Sequence, residues 1–193
     1  MSLNDWPGRA AAVSTRQWPT LEATAERAAN VDVLEGLILL GSFASGTPDE
    51  LSDVDLIAVA AAGGFAEAWD ARHRLSEGSL VSWDHFLKPE YQGHNWLTHE
   101  LVKVDCTVVD PDSGSKELAE PFVVLVGPES VSERFPHISP ETVRERARKI
   151  DEEQRRQVFN LDEMDPGELI DWKLSELKLA VRRARGGQRD AAL

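Results

Sequence analysis

Cysteine is almost absent from this chain. Of 193 residues only Cys106 carries a thiol, so no disulfide can form within it and a cysteine-built zinc site is excluded. Such usage fits a reducing, cytoplasmic setting. Long apolar runs are missing too: nothing approaches the roughly 18 to 20 residues needed to span a bilayer, and the opening MSLNDWPGR lacks a signal peptide's apolar stretch. A soluble protein with no membrane partner is the expectation. Basic residues are scarce, with 21 Lys and Arg against 34 Asp and Glu and a formal charge of −13. A field of that sign repels phosphate backbones and attracts cations, so nucleic acid is not an expected partner. What the chain does have is 41 % hydrophobic residues, enough for one ordinary domain plus a small helical appendage, or for one larger domain.

Leu21, Ala25 and Ala28 recur at helical spacing and predict a first helix from about Pro19 to Asn30. The run Gly36-Leu-Ile-Leu-Leu40 is short, apolar and closed by Gly41, which fits a strand buried on both faces. A turn-rich loop leads to a second strand, Asp53 to Val59, expected to pair with the first. A helix from about Phe65 to Leu75 follows, then strands over Leu80 to Phe86 and Leu97 to Val109, and a last short one over Val123 to Val126. Beyond residue 136 the period becomes helical. Ser139-Pro140-Glu141 opens one helix running to about Phe159, and Asp165-Pro-Gly-Glu168 opens another, with an apolar stripe of Ile170, Leu174, Leu177, Val181 and Ala184 and a stop at Gly186-Gly187. The reading is an α/β (α+β) domain over residues 1–136, a mixed sheet flanked by helices, followed by a C-terminal helical region over 137–193.

The segment richest in chemistry is Leu39-Leu40-Gly41-Ser42, ten residues, then Asp53-Val54-Asp55-Leu56. Side chains two apart in a strand share a face, with Cα atoms ~6.6 Å apart, so Asp53 and Asp55 are expected to point the same way. Unit charges interact with roughly 4 kcal/mol at 4 Å under an effective dielectric of 20, so converging carboxylates favour a bound cation. Magnesium suits them, since it takes oxygen ligands and shares them with substrate phosphates. Gly41 removes a side chain where the strand turns, letting Ser42 and neighbouring N–H groups approach a phosphate. A third carboxylate, Asp105, interrupts the apolar strand Val102 to Val108. If that strand lies beside the second, Asp105 completes a site for two metals ~3.5 to 4 Å apart.

These motifs resemble the DNA polymerase beta-like nucleotidyltransferase superfamily, and the core followed by helices is similar to the small bacterial aminoglycoside and lincosamide nucleotidyltransferases. The resemblance covers residues 20–126 in pattern. It implies transfer of a nucleoside monophosphate from a triphosphate, ATP first among them, to a hydroxyl with loss of pyrophosphate. It further implies that Asp53, Asp55 and Asp105 are the catalytic metal ligands and that Gly41 and Ser42 contact the triphosphate. The chain departs from the pattern at Phe43-Ala44-Ser45-Gly46, where many members carry an arginine. Lys149, Arg155, Lys173 and Lys178 are candidate substitutes.

Taken singly, each signal has a plainer meaning: Gly-Ser is a turn, Asp-x-Asp a solvated strand edge. Their joint order carries the reading. His85, His94 and His99 match no zinc spacing and are expected to be solvated or to line a substrate. Glu100 is a weaker general base than Asp105, because alternation sets it on the opposite strand face. Trp83, Tyr91 and Trp96 are core residues or stacking platforms. Cys106 is a small buried hydrophobe. The first functional expectation is nucleotidylation of a small hydroxylated acceptor, an aminoglycoside being the type that an acidic surface suits. Two others stand beside it: modification of a protein side chain, and a catalytically silent binding module. Monomer and homodimer both remain open.

Overall fold

Alternating and continuous apolar runs become strands, and the helical stripe at Leu21 packs on them. The computed structural model describes residues 13, 15–114, 116–154 and 165–184. In chain order the elements of the first unit are α1 (Trp18–Ala29), β1 (Leu34–Leu39), a single helical turn Gly41–Ala44, β2 (Val54–Ala60), α2 (Phe65–Ala71), β3 (Val81–Lys88), β4 (Tyr91–Leu97), β5 (Lys103–Val109), β6 (Leu118–Ala119), β7 (Val123–Val126) and β8 (His137–Ile138). The second unit contains α3 (Pro140–Gln154) and α4 (Pro166–Ala184). The chain divides between them, at Ile138 and Ser139.

The architecture is mixed α/β. Six strands form one sheet in the order β3-β4-β5-β2-β1-β7, and β6 and β8 form a small separate pair. Only β2 and β5 run parallel within the large sheet; its other neighbours are antiparallel. One face packs Leu37, Leu39, Leu56, Ala58, Val104, Cys106 and Val108 against Trp18, Leu21, Ala25 and Ala28 of α1 and Ala68 of α2. Burying residues such as Leu21 and Leu56 stabilises the fold by about 1.5 to 3 kcal/mol each. The other face packs Ile38, Ile57, Val59, Val109 and Val124 against Leu118, Val131 and Phe135. Asp55 and Asp105 alternate onto this second face.

The expected strand from Leu97 to Val109 is broken. Residues 98–102 make a tight turn, with Thr98 N–H donating to Val102 O at 2.9 Å and Leu101 N–H to Thr98 O at 3.0 Å. Leu101 sits there at φ 60° and is exposed, an uncommon conformation for a bulky side chain and one the sequence does not announce. The segment before it, Tyr91 to Leu97, is a full strand between β3 and β5 that hydrophobicity did not reveal, because Gln92, His94 and Asn95 are polar.

In the second unit the caps follow the local chemistry. Ser139 Oγ accepts from Thr142 N–H at 3.3 Å and Asp165 Oδ1 from Gly167 N–H at 2.8 Å. Leu177, expected on the apolar stripe of α4, is 61 % exposed, while Ile170, Leu174 and Val181 are half-buried. The stop at Gly186-Gly187 and Arg155 lie outside the described residues. Among those described, no helix is long and apolar enough to cross a membrane.

Candidate active site

The loop that delivers the aspartates is fastened from beneath. Gln17, buried at the start of α1, donates through Nε2 to the carbonyls of Asp49 and Ser52, each at 3.0 Å. Within the same turn Ser52 Oγ accepts from Asp49 N–H at 2.9 Å, and Asp49 Oδ1 accepts from Leu51 N–H at 2.9 Å. Asp53 follows directly, half-buried and one residue ahead of β2, so strand alternation fixes the direction of Asp55 but not of Asp53.

Asp55 is the second residue of β2, and its Cα is paired with that of Asp105 across the parallel ladder. Residues so paired project from the same face. The row continues through Asn95 on β4 to Trp83 on β3. Gly41 stands on the other side of Asp55. It has φ 65°, and a Cβ added to it would collide with Oδ2 of Asp55. Its lack of a side chain therefore makes room for the carboxylate itself, and its backbone conformation is one that only glycine adopts readily. Ser42 is half-exposed in the turn that follows, its carbonyl accepting from Thr47 N–H at 2.9 Å and Ser45 Oγ at 3.0 Å.

Two lysines unremarked in the sequence reading belong to this face. Lys103 Nζ lies 2.9 Å from Oδ1 and 3.0 Å from Oδ2 of Asp105, with only 10 % of its side chain exposed. Lys116 is half-buried between β5 and β6, and its ammonium lies 5.6 Å from the centre of the Tyr91 ring. Burial pulls the Lys116 pKa below its ordinary value, and the charge of Asp55 acts against that pull. A sequence signal for Lys103 existed, since Lys-x-Asp on a strand places both on one face. Lys116 sits in a loop and had none.

Among the described residues, no three His, Cys, Asp or Glu side chains converge as a ready-made metal-ligating group. The donors suit a hard cation at the Asp53 and Asp55 end, all oxygen and anionic. Asp105 instead has both oxygens on an ammonium.

Several other residues lie elsewhere than expected. His94 is fully buried on the opposite face of the sheet, its Nδ1 at 2.7 Å from Asp84 Oδ1 and its Nε2 at 2.8 Å from Ser76 Oγ. It is thus neither solvated nor on the face that carries Asp55 and Asp105. Asp84 is also held by Arg72, at 3.0 and 2.8 Å. Burial pushes His94 down and outweighs the upward pull of Asp84, so the ring is neutral. Burial pushes Asp84 up, but the hydrogen bonds from Arg72 and His94 prevail and hold it below the usual carboxylate range. Ser, His and Asp in a row suggest nucleophilic catalysis, yet Ser76 is itself buried, and the set ties the turn after α2 to β3 and β4. Glu100 lies in the 98–102 turn and is exposed, its carbonyl accepting from Arg16. It also lines a cavity of about 190 Å³ with Thr20, Arg27, Glu77 and Trp96 on the α1 side of the sheet, away from Asp55. Trp96 and Cys106 are core residues on that side. Compared with protein-family models the chain matches none, and compared with curated proteins it matches none.

Proposed function

We propose that the chain is a metal-dependent nucleotidyltransferase that moves a nucleoside monophosphate, from ATP by preference, to a hydroxyl of a small cationic acceptor of the aminoglycoside type. The observation that carries this reading is the pairing of Asp55 with Asp105 on adjacent parallel strands, with Gly41 abutting the Asp55 carboxylate. In this reading Asp53 and Asp55 hold magnesium, which when bound shields the triphosphate and polarises the phosphorus under attack. Asp105 completes the acidic centre and orients the acceptor hydroxyl. The turn from Gly41 to Ser42 receives the phosphates. Lys116, beside Asp55, takes the place of the arginine missing from Phe43–Gly46. Lys149, Lys173 and Lys178 belong to the second unit and are not needed for that contact. The formal charge of −13 favours a polycationic acceptor.

Titration calorimetry with ATP and GTP, with and without magnesium, tests the proposal on the wild type and on Asp55→Asn. Magnesium-dependent binding that the substitution abolishes supports it, and pyrophosphate release on adding hydroxylated amines identifies the acceptor. Failure of the wild type to bind any triphosphate sinks it, and leaves a protein whose task lies in binding a partner.

A further inference from the structure

We infer that Lys103 is a resident cation of the acidic centre and that the centre therefore takes one divalent ion per chain rather than two. The inference rests on the nucleotidyltransferase reading above. Its ground is placement. Lys103 and Asp105 are two apart on β5 and share a face, and the ammonium bridges both carboxylate oxygens, at 2.9 and 3.0 Å. A metal ligand must offer at least one of those oxygens. The β2–β5 ladder begins at Val54 and Val104, and Asp53 and Lys103 are the residues that immediately precede that first pair. Lys103 thus holds Asp105 at the end of the ladder where Asp53 leads into β2.

Burial argues that the pair persists. Lys103 is 9 % exposed, and removing the partner of a charge so far from solvent is strongly unfavourable, whereas an exposed lysine would swing into water with little loss. A second divalent ion at Asp105 would have to strip Lys103 of its partner and then repel the ammonium beside it. An ammonium presents three donors and no vacant coordination site, so Lys103 fixes Asp105 in place while leaving the ligand positions of the bound ion to Asp53, Asp55 and the triphosphate. Lys103 is then a positioning residue, acting through Asp105.

Manganese is the probe, counted by the loss of its free electron-spin signal as it is titrated into the full chain with a non-hydrolysable ATP analogue, beyond the loss that the analogue alone causes. The wild type is expected to take up one ion tightly. Lys103→Met, which keeps length and loses charge, is expected to gain a second, binding at least tenfold more tightly than any second ion on the wild type. Lys103→Arg is expected to stay at one. Two tight ions on the wild type overturn the inference without recourse to any variant, as does a Lys103→Met chain that folds, by circular dichroism, and still holds one. No manganese on the wild type at all is a different result: it overturns the nucleotidyltransferase reading and this inference with it.

Discussion

Gly41 and Asp55 fit one against the other: the glycine turns at φ 65°, and the carboxylate of the aspartate fills the space a Cβ would need. No residue with a side chain fits at position 41 unless the Asp55 carboxylate moves.

Gly41→Ala is accordingly expected to be destabilising and to displace Asp55. The left-handed backbone is unfavourable for alanine by roughly 1 kcal/mol or more, and the collision adds to it. Urea denaturation should show a loss of about 1 to 3 kcal/mol. Magnesium-dependent ATP binding should weaken further than stability alone explains. An alanine variant with wild-type stability and binding would show that the two residues do not constrain each other.

Lys116→Met tests the phosphate contact separately from the metal. A charge-assisted hydrogen bond is worth about 1.5 to 3 kcal/mol, which is roughly ten- to a hundredfold in affinity for ATP. Lys116→Arg should retain most of the affinity. Manganese bound without nucleotide should not weaken, because the lysine supplies no ligand to the ion and its positive charge beside Asp55 opposes a cation there. Equal ATP affinity for Lys116→Met and wild type would remove Lys116 from the site.

Cys106 offers a check on the core. Burial raises its thiol to about 12, so the thiolate fraction at pH 8 is on the order of one part in ten thousand. Iodoacetamide should leave the native protein unmodified over hours and label it fully in urea. Rapid labelling of the native chain would mean that β5 opens far more readily than a central strand should.

How much of this was legible beforehand depends on which physics wrote each segment. β1 and β2 announce themselves, since continuous apolar runs such as Leu37-Ile38-Leu39 and Leu56 to Val59 have no other home than a sheet covered on both faces. Ser139 and Asp165 could be read as caps because capping is a local hydrogen bond. β4 could not, because its polar residues find partners far away in sequence: His94 depends on Ser76 and Asp84, and Asn95 is set beside Asp105. Asp53, Asp55 and Asp105 were visible as a pattern, and the register that pairs the last two is a tertiary fact. Lys103 was in plain view two residues from Asp105, but charge partners are chosen by the fold, and a sequence does not say whether a lysine reaches inward or into water.

The His94 cluster makes the last prediction, on pH. The ordinary imidazole value is 6.5 and burial holds His94 below it, so on lowering the pH the unfolded chain takes up the proton first. The unfolded state then binds more protons than the folded one, and stability rises with pH in that window. The contribution is complete above about pH 6.5 and is lost as the pH falls from there through the lower folded value. Asp84 acts in the same sense further down: its carboxyl is held below the ordinary 3.8, so its share is present above that pH and disappears as acid protonates it. Urea midpoints from pH 8 to pH 4.5 should therefore decline most steeply below 6.5. His94→Gln removes the titrating ring from a buried pair of hydrogen bonds, and should lower stability at pH 8 by roughly 1 to 3 kcal/mol while flattening the decline between pH 6.5 and 5. If the variant and the wild type keep parallel slopes through that window, another group governs the acid sensitivity, and the neutral, doubly bonded state of His94 is wrong.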